Sequence, residues 1–310
     1  MTKCFRTFAA MKKILVILSA VLMLASCKTG AGLNESPQYE KQVIELPGVP
    51  NARQLGGYII GNKQIRMDVL LRSGDLSKAS DEAVGILQDR YRLALVADFR
   101  SSMERGHAPD RDVPGTQSVW FPILEKMIQR EDNAVLATLH QKKDDPHFTI
   151  ELLKQPEIRK VLLNTYDDIV FDEDYQSSYA AFLDSLVALP EGSAALWHCS
   201  HGKDRCGCGT AFVLAALGAD RDLIIADFEM SNVPYTEEID ELASIARAED
   251  LDDVVIDEIY LLRGVSSKYF EKTLDAIDER YGSMDNFLKQ ALGLTGAEKR
   301  ALRKKFLIAR

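Results

Sequence analysis

The stretch Trp197-His198-Cys199-Ser200-His201-Gly202-Lys203-Asp204-Arg205-Cys206-Gly207 holds the side chains best suited to chemistry. Before it, Ala194-Ala195-Leu196-Trp197 follows a Pro190-Glu191-Gly192 turn signal and suits a short buried strand. After it, Thr210 to Leu217 is a helix-length apolar run closed by Gly218, a C-terminal cap. The stretch therefore reads as the loop of a strand-loop-helix unit. Such a loop aims successive backbone N–H groups, and the positive end of the following helix, at one point where a phosphate fits. Cys199 at the strand end feels the same field, which favours thiolate over thiol and brings such cysteines from about 8.5 into the range of about 3.5–7.5. That makes it a nucleophile at neutral pH. Arg205 supplies a planar fork able to hold two phosphate oxygens and the extra charge of a transition state. Ser200, His201, Gly202 and Lys203 complete the anion cradle, with glycine where backbone must approach a ligand closely.

The elements that must position this loop can be read around it. Val69-Leu70-Leu71 and Leu93 to Asp98 are strands, the second the strongest buried run in the chain, and Val119-Trp120-Phe121 is a further short one. Ser80-Asp81 opens a helix with Val84, Leu87 and Tyr91 on one face. Arg100 to Arg111 reads as charged loop, and Tyr166 to Leu189 as one helix with Phe171, Tyr179, Phe182 and Leu186 inside. Residues 123–165 form a helical insertion, either a lid or a plain packing pair. Residues 221–280 carry further amphipathic helices. Thr295 with Glu298 is a capping box, and the basic cluster Lys299 to Lys305 is helix-end charge. Helices alternating with short apolar strands give an α/β class: a central, mostly parallel or mixed sheet flanked by helices.

The loop resembles that of the cysteine-dependent protein tyrosine phosphatases, within them the bacterial tyrosine/dual-specificity group reading His-Cys-x-x-Gly-Lys-Asp-Arg. The match falls on His198, Cys199, Gly202, Lys203, Asp204, Arg205 and Gly207. Asn51-Ala52-Arg53-Gln54-Leu55-Gly56-Gly57, Leu71-Arg72-Ser73-Gly74, Asp98-Phe99-Arg100, Arg280-Tyr281-Gly282-Ser283 and Leu292-Gly293-Leu294 are similar to other segments of that group, so the likeness covers residues 43–307. It implies a tyrosine phosphatase-like fold and two-step hydrolysis of phosphate monoesters through a phosphocysteine on Cys199, with no metal or other cofactor. It gives the proton-donating role to Asp204, with Asp98 and Asp168 as other candidates. It also implies a phosphorylated protein substrate, phosphotyrosine with phosphoserine or phosphothreonine, or a phosphoinositide, toward which Lys203, Arg205 and His201 would supply charge at the rim. His198 either hydrogen-bonds beside the nucleophile or is a buried core histidine. Asp98, Arg100, Arg53 and Arg72 read as structural ion pairs that support the site. Cys206 departs from the group, which has a hydroxyl residue after the arginine. It is either a simple replacement or the partner of a reversible Cys199–Cys206 disulfide.

The other end of the chain concerns destination. Met11-Lys12-Lys13 followed by Ile14 to Ala25 is a secretory signal, too short to span a membrane, and Leu24-Ala25-Ser26-Cys27 looks like a lipobox. The expected organisation is a lipoprotein-type signal at 1–26, a polar tether at 27–42 from a lipidated Cys27, and a phosphatase domain at 43–310. The protein is thus expected to be exported and anchored by lipid to a bacterial membrane. The net charge of −9 argues against nucleic acid as partner. Cys199, Cys206 and Cys208 imply no disulfide framework. Two rival readings stand beside the enzyme: a metal or redox module built on His198, Cys199, His201, Cys206 and Cys208, and a non-catalytic phosphate-binding protein. Lys203 and Arg205 would oppose a divalent cation in the first.

Overall fold

The computed structural model describes residues 41–126 and 145–310. The expected signal, Cys27 and the tether as far as residue 40 lie outside the described residues, as does the middle of the helical insertion at 127–144.

The chain opens with β1 (Arg53–Gln54), β2 (Ile59–Ile60), β3 (Lys63–Ile65) and β4 (Leu70–Ser73). Next come α1 (Asp81–Gly85), continued by a π-helical turn (Ile86–Arg90), β5 (Leu93–Asp98), α2 (Ser102–His107) and β6 (Gln117–Trp120). Helices α3 (Pro146–Leu153), α4 (Pro156–Phe171) and α5 (Glu173–Ala188) lead to β7 (Ala194–His198) and α6 (Asp204–Leu217). After α7 (Arg221–Glu229) and a 3-10 turn (Met230–Tyr235), the chain continues through α8 (Thr236–Ala248), α9 (Asp253–Arg263) and α10 (Ser267–Tyr281). It closes with α11 (Met284–Gln290), α12 (Gly296–Phe306) and β8 (Leu307–Ala309).

Five strands form the central sheet in the order β1-β4-β7-β5-β6, parallel except for the antiparallel edge strand β1. Strands β2, β3 and β8 make a small antiparallel sheet. Strand β7 occupies the middle of the large sheet and is buried at every position, because helices cover both faces. Its alternation sorts the core: Ala195 and Trp197 join the larger apolar cluster with Phe182 and Phe212, whereas Ala194 and Leu196 join a smaller one with Leu76 and Leu87. A third cluster, with Ile150, Ile239, Leu242 and Ile259, ties α3, α8 and α9 together.

Helix α6, directly after the loop, is buried at every residue but Asp204 and Ala215, as a helix apolar all round must be. It ends where Gly218 takes φ +98°, its N–H and that of Ala219 satisfying the carbonyls of Leu214 and Ala215.

Three expectations change. The charged stretch 100–111 is not all loop: Ser101 and Glu104 form a capping box that starts α2. The helix expected over Tyr166 to Leu189 is two, because Asp172 leaves helical geometry (ψ 127°) and its side chain accepts the amides of Asp174 and Tyr175. The basic cluster on α12 does more than offset its own dipole. The Lys305 ammonium donates to the carbonyls of Leu186, Val187 and Leu189 and so caps α5, while Lys299 pairs with Asp285.

Gly207 shows how tightly α6 is seated. A Cβ there would fall 2.5 Å from Cε2 of Phe228, and that ring is fixed by stacking on Phe270 at 3.9 Å and by an edge contact with Tyr166. The ring has nowhere to go. Gly207→Ala is therefore expected to destabilise the fold by about 1–3 kcal/mol, despite alanine's better helix propensity, as a lowered urea midpoint at unchanged slope.

Candidate active site

The loop leaves the sheet at the carboxyl end of β7, between the ends of β4 and β5, the place where open α/β sheets bind ligands. Its conformation is set by where its carbonyls go. Ser200 O accepts the amide of Asp75, at 3.2 Å. His201 O accepts the Tyr235 hydroxyl at 2.7 Å and the Asn51 amide at 3.1 Å. Gly202 O accepts Asn51 at 2.9 Å and Arg72 at 2.8 Å; Arg72 also reaches Lys203 O at 3.3 Å, and the Tyr179 hydroxyl donates to Arg205 O at 2.9 Å. With these acceptors bound by surrounding elements, the loop N–H groups can turn to a guest, and among the described residues no side chain caps the N terminus of α6.

Gly202 makes the turn possible. It takes φ +69°, and a Cβ there would lie 2.5 Å from the backbone of Ser73.

A buried charged frame holds the outer donors. Asp227 pairs with Arg72 at 2.6 Å and Arg53 at 3.5 Å and accepts the Tyr58 hydroxyl. Arg53 donates to Asn51 Oδ1 at 2.6 Å, and both arginines reach the Ser231 hydroxyl. Burial, then the Arg53 charge, lowers Arg72, against the pull of Asp227 and of the loop cysteines.

Cys199 is buried at the floor. Burial pushes its thiol up, yet the hydrogen bond from Cys206, the charge of Arg205 and the Cys206 amide together bring it down to about 5, against the raising effect of Asp204. Cys206 and Cys208 go the other way: burial raises both well above the ordinary thiol range, so Cys206 stays a neutral donor. All three are free thiols.

Arg205 is held in a fork by Glu104, Nη1 to Oε2 and Nη2 to Oε1, both 2.7 Å, and Glu104 also accepts the Ser200 hydroxyl. Burial raises Glu104, but Arg205, Ser200 and the Ser101 amide outweigh it and hold the carboxyl well below its usual range. Sequence reading missed Glu104. Its signal was the Ser101-x-x-Glu104 spacing, which places it in the first turn of α2. Asp227 and Tyr235 were missed too, and no local pattern marks them.

The other expected residues fall as follows. Lys203 is buried, not at the rim: its Nζ donates to Leu261 O (3.1 Å) and Gly264 O (2.6 Å) and pairs with Asp204 Oδ2 at 3.0 Å. Asp204 sits partly exposed at the start of α6, beside the loop. His201 is exposed, its ring edge-on to Tyr235 at 6.2 Å. His198 is wholly buried and lies 3.1 Å from Asp110 and 3.8 Å from Asp98; burial lowers its pKa, but these carboxylates win and raise it. Asp98 and Arg100 form the ion pair expected, at 2.9 Å, and Arg100 also bonds Asp110. Asp168 lies on α4 and lines a separate cavity with Lys126, Phe171 and Arg280.

Among the described residues, one group of three or more side chains could gather around a metal: Asp98, Asp110 and His198. Its carboxylates are already committed to Arg100, and Asp98 also to Arg105 at 3.0 Å, so a divalent cation there would meet two guanidiniums.

With Cys199 titrating at about 5 and its neighbours buried and neutral, its alkylation should be nearly independent of pH between about 6 and 8. An ordinary thiol would react about tenfold faster per unit over that range. Iodoacetamide labelling followed by peptide mass spectrometry measures it.

The comparisons with known proteins agree with this geometry. A tyrosine-protein phosphatase of Cupriavidus necator, so named provisionally, is 31% identical over 255 residues, covering 81% of this chain and 85% of its own. The triple specificity protein phosphatase PtpB of Mycobacterium tuberculosis is 29% identical over 275 residues, covering 80% and 94%. The model of the tyrosine phosphatase family matches residues 44–308. With that match running from the first buried residues before β1 to the last strand, the chain belongs to the tyrosine phosphatase family.

Proposed function

We propose that Cys199 is the nucleophile of this phosphatase and that the chain's substrates are phosphotyrosine proteins, with phosphoserine or phosphothreonine turned over more slowly. The observation that carries the reading is a cysteine of pKa about 5 beneath backbone amides whose carbonyl partners are bound elsewhere. The thiolate attacks phosphorus in line, the bond to the leaving oxygen breaks, and phosphate rests on sulfur until water displaces it. Loop amides and Arg205 hold the three equatorial oxygens, and Glu104 keeps the guanidinium in the plane that makes this possible. Asp204 gives its proton to the leaving phenoxide and then takes one from the attacking water. The Cys206 S–H lies within reach of Ser73 O at 3.6 Å and Trp197 O at 3.8 Å, and turning it to the Cys199 sulfur would steady that sulfur as it leaves in the second step.

Lys203 bears on the choice between protein and lipid. Its ammonium is occupied by helix carbonyls and Asp204, so a headgroup carrying several phosphates gains less charge at the mouth than the sequence suggests. This favours phosphotyrosine over phosphoinositides.

We also propose that the chain is exported and lipid-anchored through Cys27, on the strength of the Leu24-Ala25-Ser26-Cys27 lipobox and the polar tether after it. Among the described residues no helix is long and apolar enough to cross a membrane.

Two outcomes are expected. Phosphate release, reduced and with chelator present, should rank phosphotyrosine peptide above phosphoserine peptide and phosphoinositide and vanish in Cys199→Ser; binding without turnover would instead mark a phosphate-binding protein. In detergent phase partitioning, wild type should enter the detergent phase and Cys27→Ser should stay in the aqueous one.

A further inference from the structure

We propose that Lys203 is a positioning residue for Asp204: a helix-capping cation that grips one oxygen of the carboxyl and so fixes where the acid points. The inference rests on the proton-donor role given to Asp204 above.

Lys203 immediately precedes α6 and is almost fully buried. Three protein oxygens lie within reach of its three ammonium hydrogens: Leu261 O at 3.1 Å, Gly264 O at 2.6 Å and Asp204 Oδ2 at 3.0 Å. The two carbonyls stand at the end of α9, where backbone acceptors lack helical partners and the negative end of the helix dipole lies. A cation is stabilised there whether or not substrate is present. That end is itself fixed. Asn232 accepts the Val265 amide at 2.6 Å and donates to Val265 O at 3.0 Å, and a Cβ on Gly264 would fall 2.2 Å from Asn232 Oδ1.

The carboxyl of Asp204 is thereby unsymmetrical. Oδ2 faces the ammonium, while Oδ1 is enclosed by protein, and the carboxyl also lies against the Tyr166 hydroxyl. An acid held by one oxygen to a fixed cation cannot swing freely. Misplacing such a group by about an ångström costs on the order of a hundredfold in rate. The sequence suggested phosphate binding for this lysine; its three oxygens make it act through the aspartate.

The test compares wild type, Lys203→Met, Asp204→Asn and the double variant on two substrates: 2,4-dinitrophenyl phosphate, whose leaving group departs unprotonated, and phenyl phosphate, whose leaving group needs a proton. Lys203→Met should lower kcat/KM on phenyl phosphate on the order of a hundredfold, leave kcat/KM on 2,4-dinitrophenyl phosphate within about threefold, and add nothing to Asp204→Asn. Lys203→Gln, which keeps a donor for the carbonyls without the charge, is run in parallel with thermal melts, so that poor folding of one variant does not decide the result. Equal losses on both substrates with a raised KM, or additive losses in the double variant, would overturn the inference and return Lys203 to phosphate binding. If Asp204→Asn itself lowers kcat/KM on both substrates alike, the proton-donor assignment fails and this inference with it. If Asp204→Asn is selective and neither Lys203 variant is, the inference alone fails.

Discussion

The site depends on one constraint: the carbonyls of the loop must be bound from outside. A five-residue turn with its N–H groups aimed inward would otherwise relax, because unpaired carbonyls compete for those same amides. Asn51, Arg72, Tyr179, Tyr235 and the Asp75 amide meet that need from five different parts of the chain. The core exists in large part to bring them there. Strand β4 delivers Arg72 beside β7 through parallel pairing with Trp197, and α5 delivers Tyr179 against α6.

The cost of this arrangement is buried charge. Arg53, Arg72 and Asp227 are all sealed from water, and burying such groups is unfavourable unless each is paired and hydrogen-bonded. Two guanidiniums share one carboxylate, so the frame carries a net positive charge beneath the loop. That surplus favours the anionic form of Cys199. Arg205 contributes too, its fork held in orientation by Glu104, so cationic groups of fixed geometry favour the thiolate before any substrate arrives.

The strand-loop-helix unit was legible because every signal in it is local: the apolar run before Cys199, the glycine within the turn, the capping glycine at 218. The Ser80 cap and the strand Leu93 to Asp98 were legible for the same reason. Partners were not. That Lys203 turns to the end of α9 depends on where α9 packs, and that Glu104 meets Arg205 depends on α2 approaching α6, neither of which any short window encodes. The break at Asp172 was hidden differently: its flanks both have helical periodicity, and one side-chain cap decides between one helix and two. Arg53 and Arg72 were legible as ion pairs, while their shared partner Asp227 looked like any acidic residue on an amphipathic helix.

The small sheet sets the order in which the molecule can be finished. Strand β8 pairs with β3, joining Leu307 to Ile65, and Lys305 caps α5 from α12. Strand β3 therefore waits, during synthesis, for residues made much later, and contacts between distant parts of a chain form slowly. In a nascent chain the small sheet stays open until α12 and β8 emerge. If the protein crosses a membrane as an unfolded thread, as the proposed export requires, late closure of the small sheet keeps it threadable.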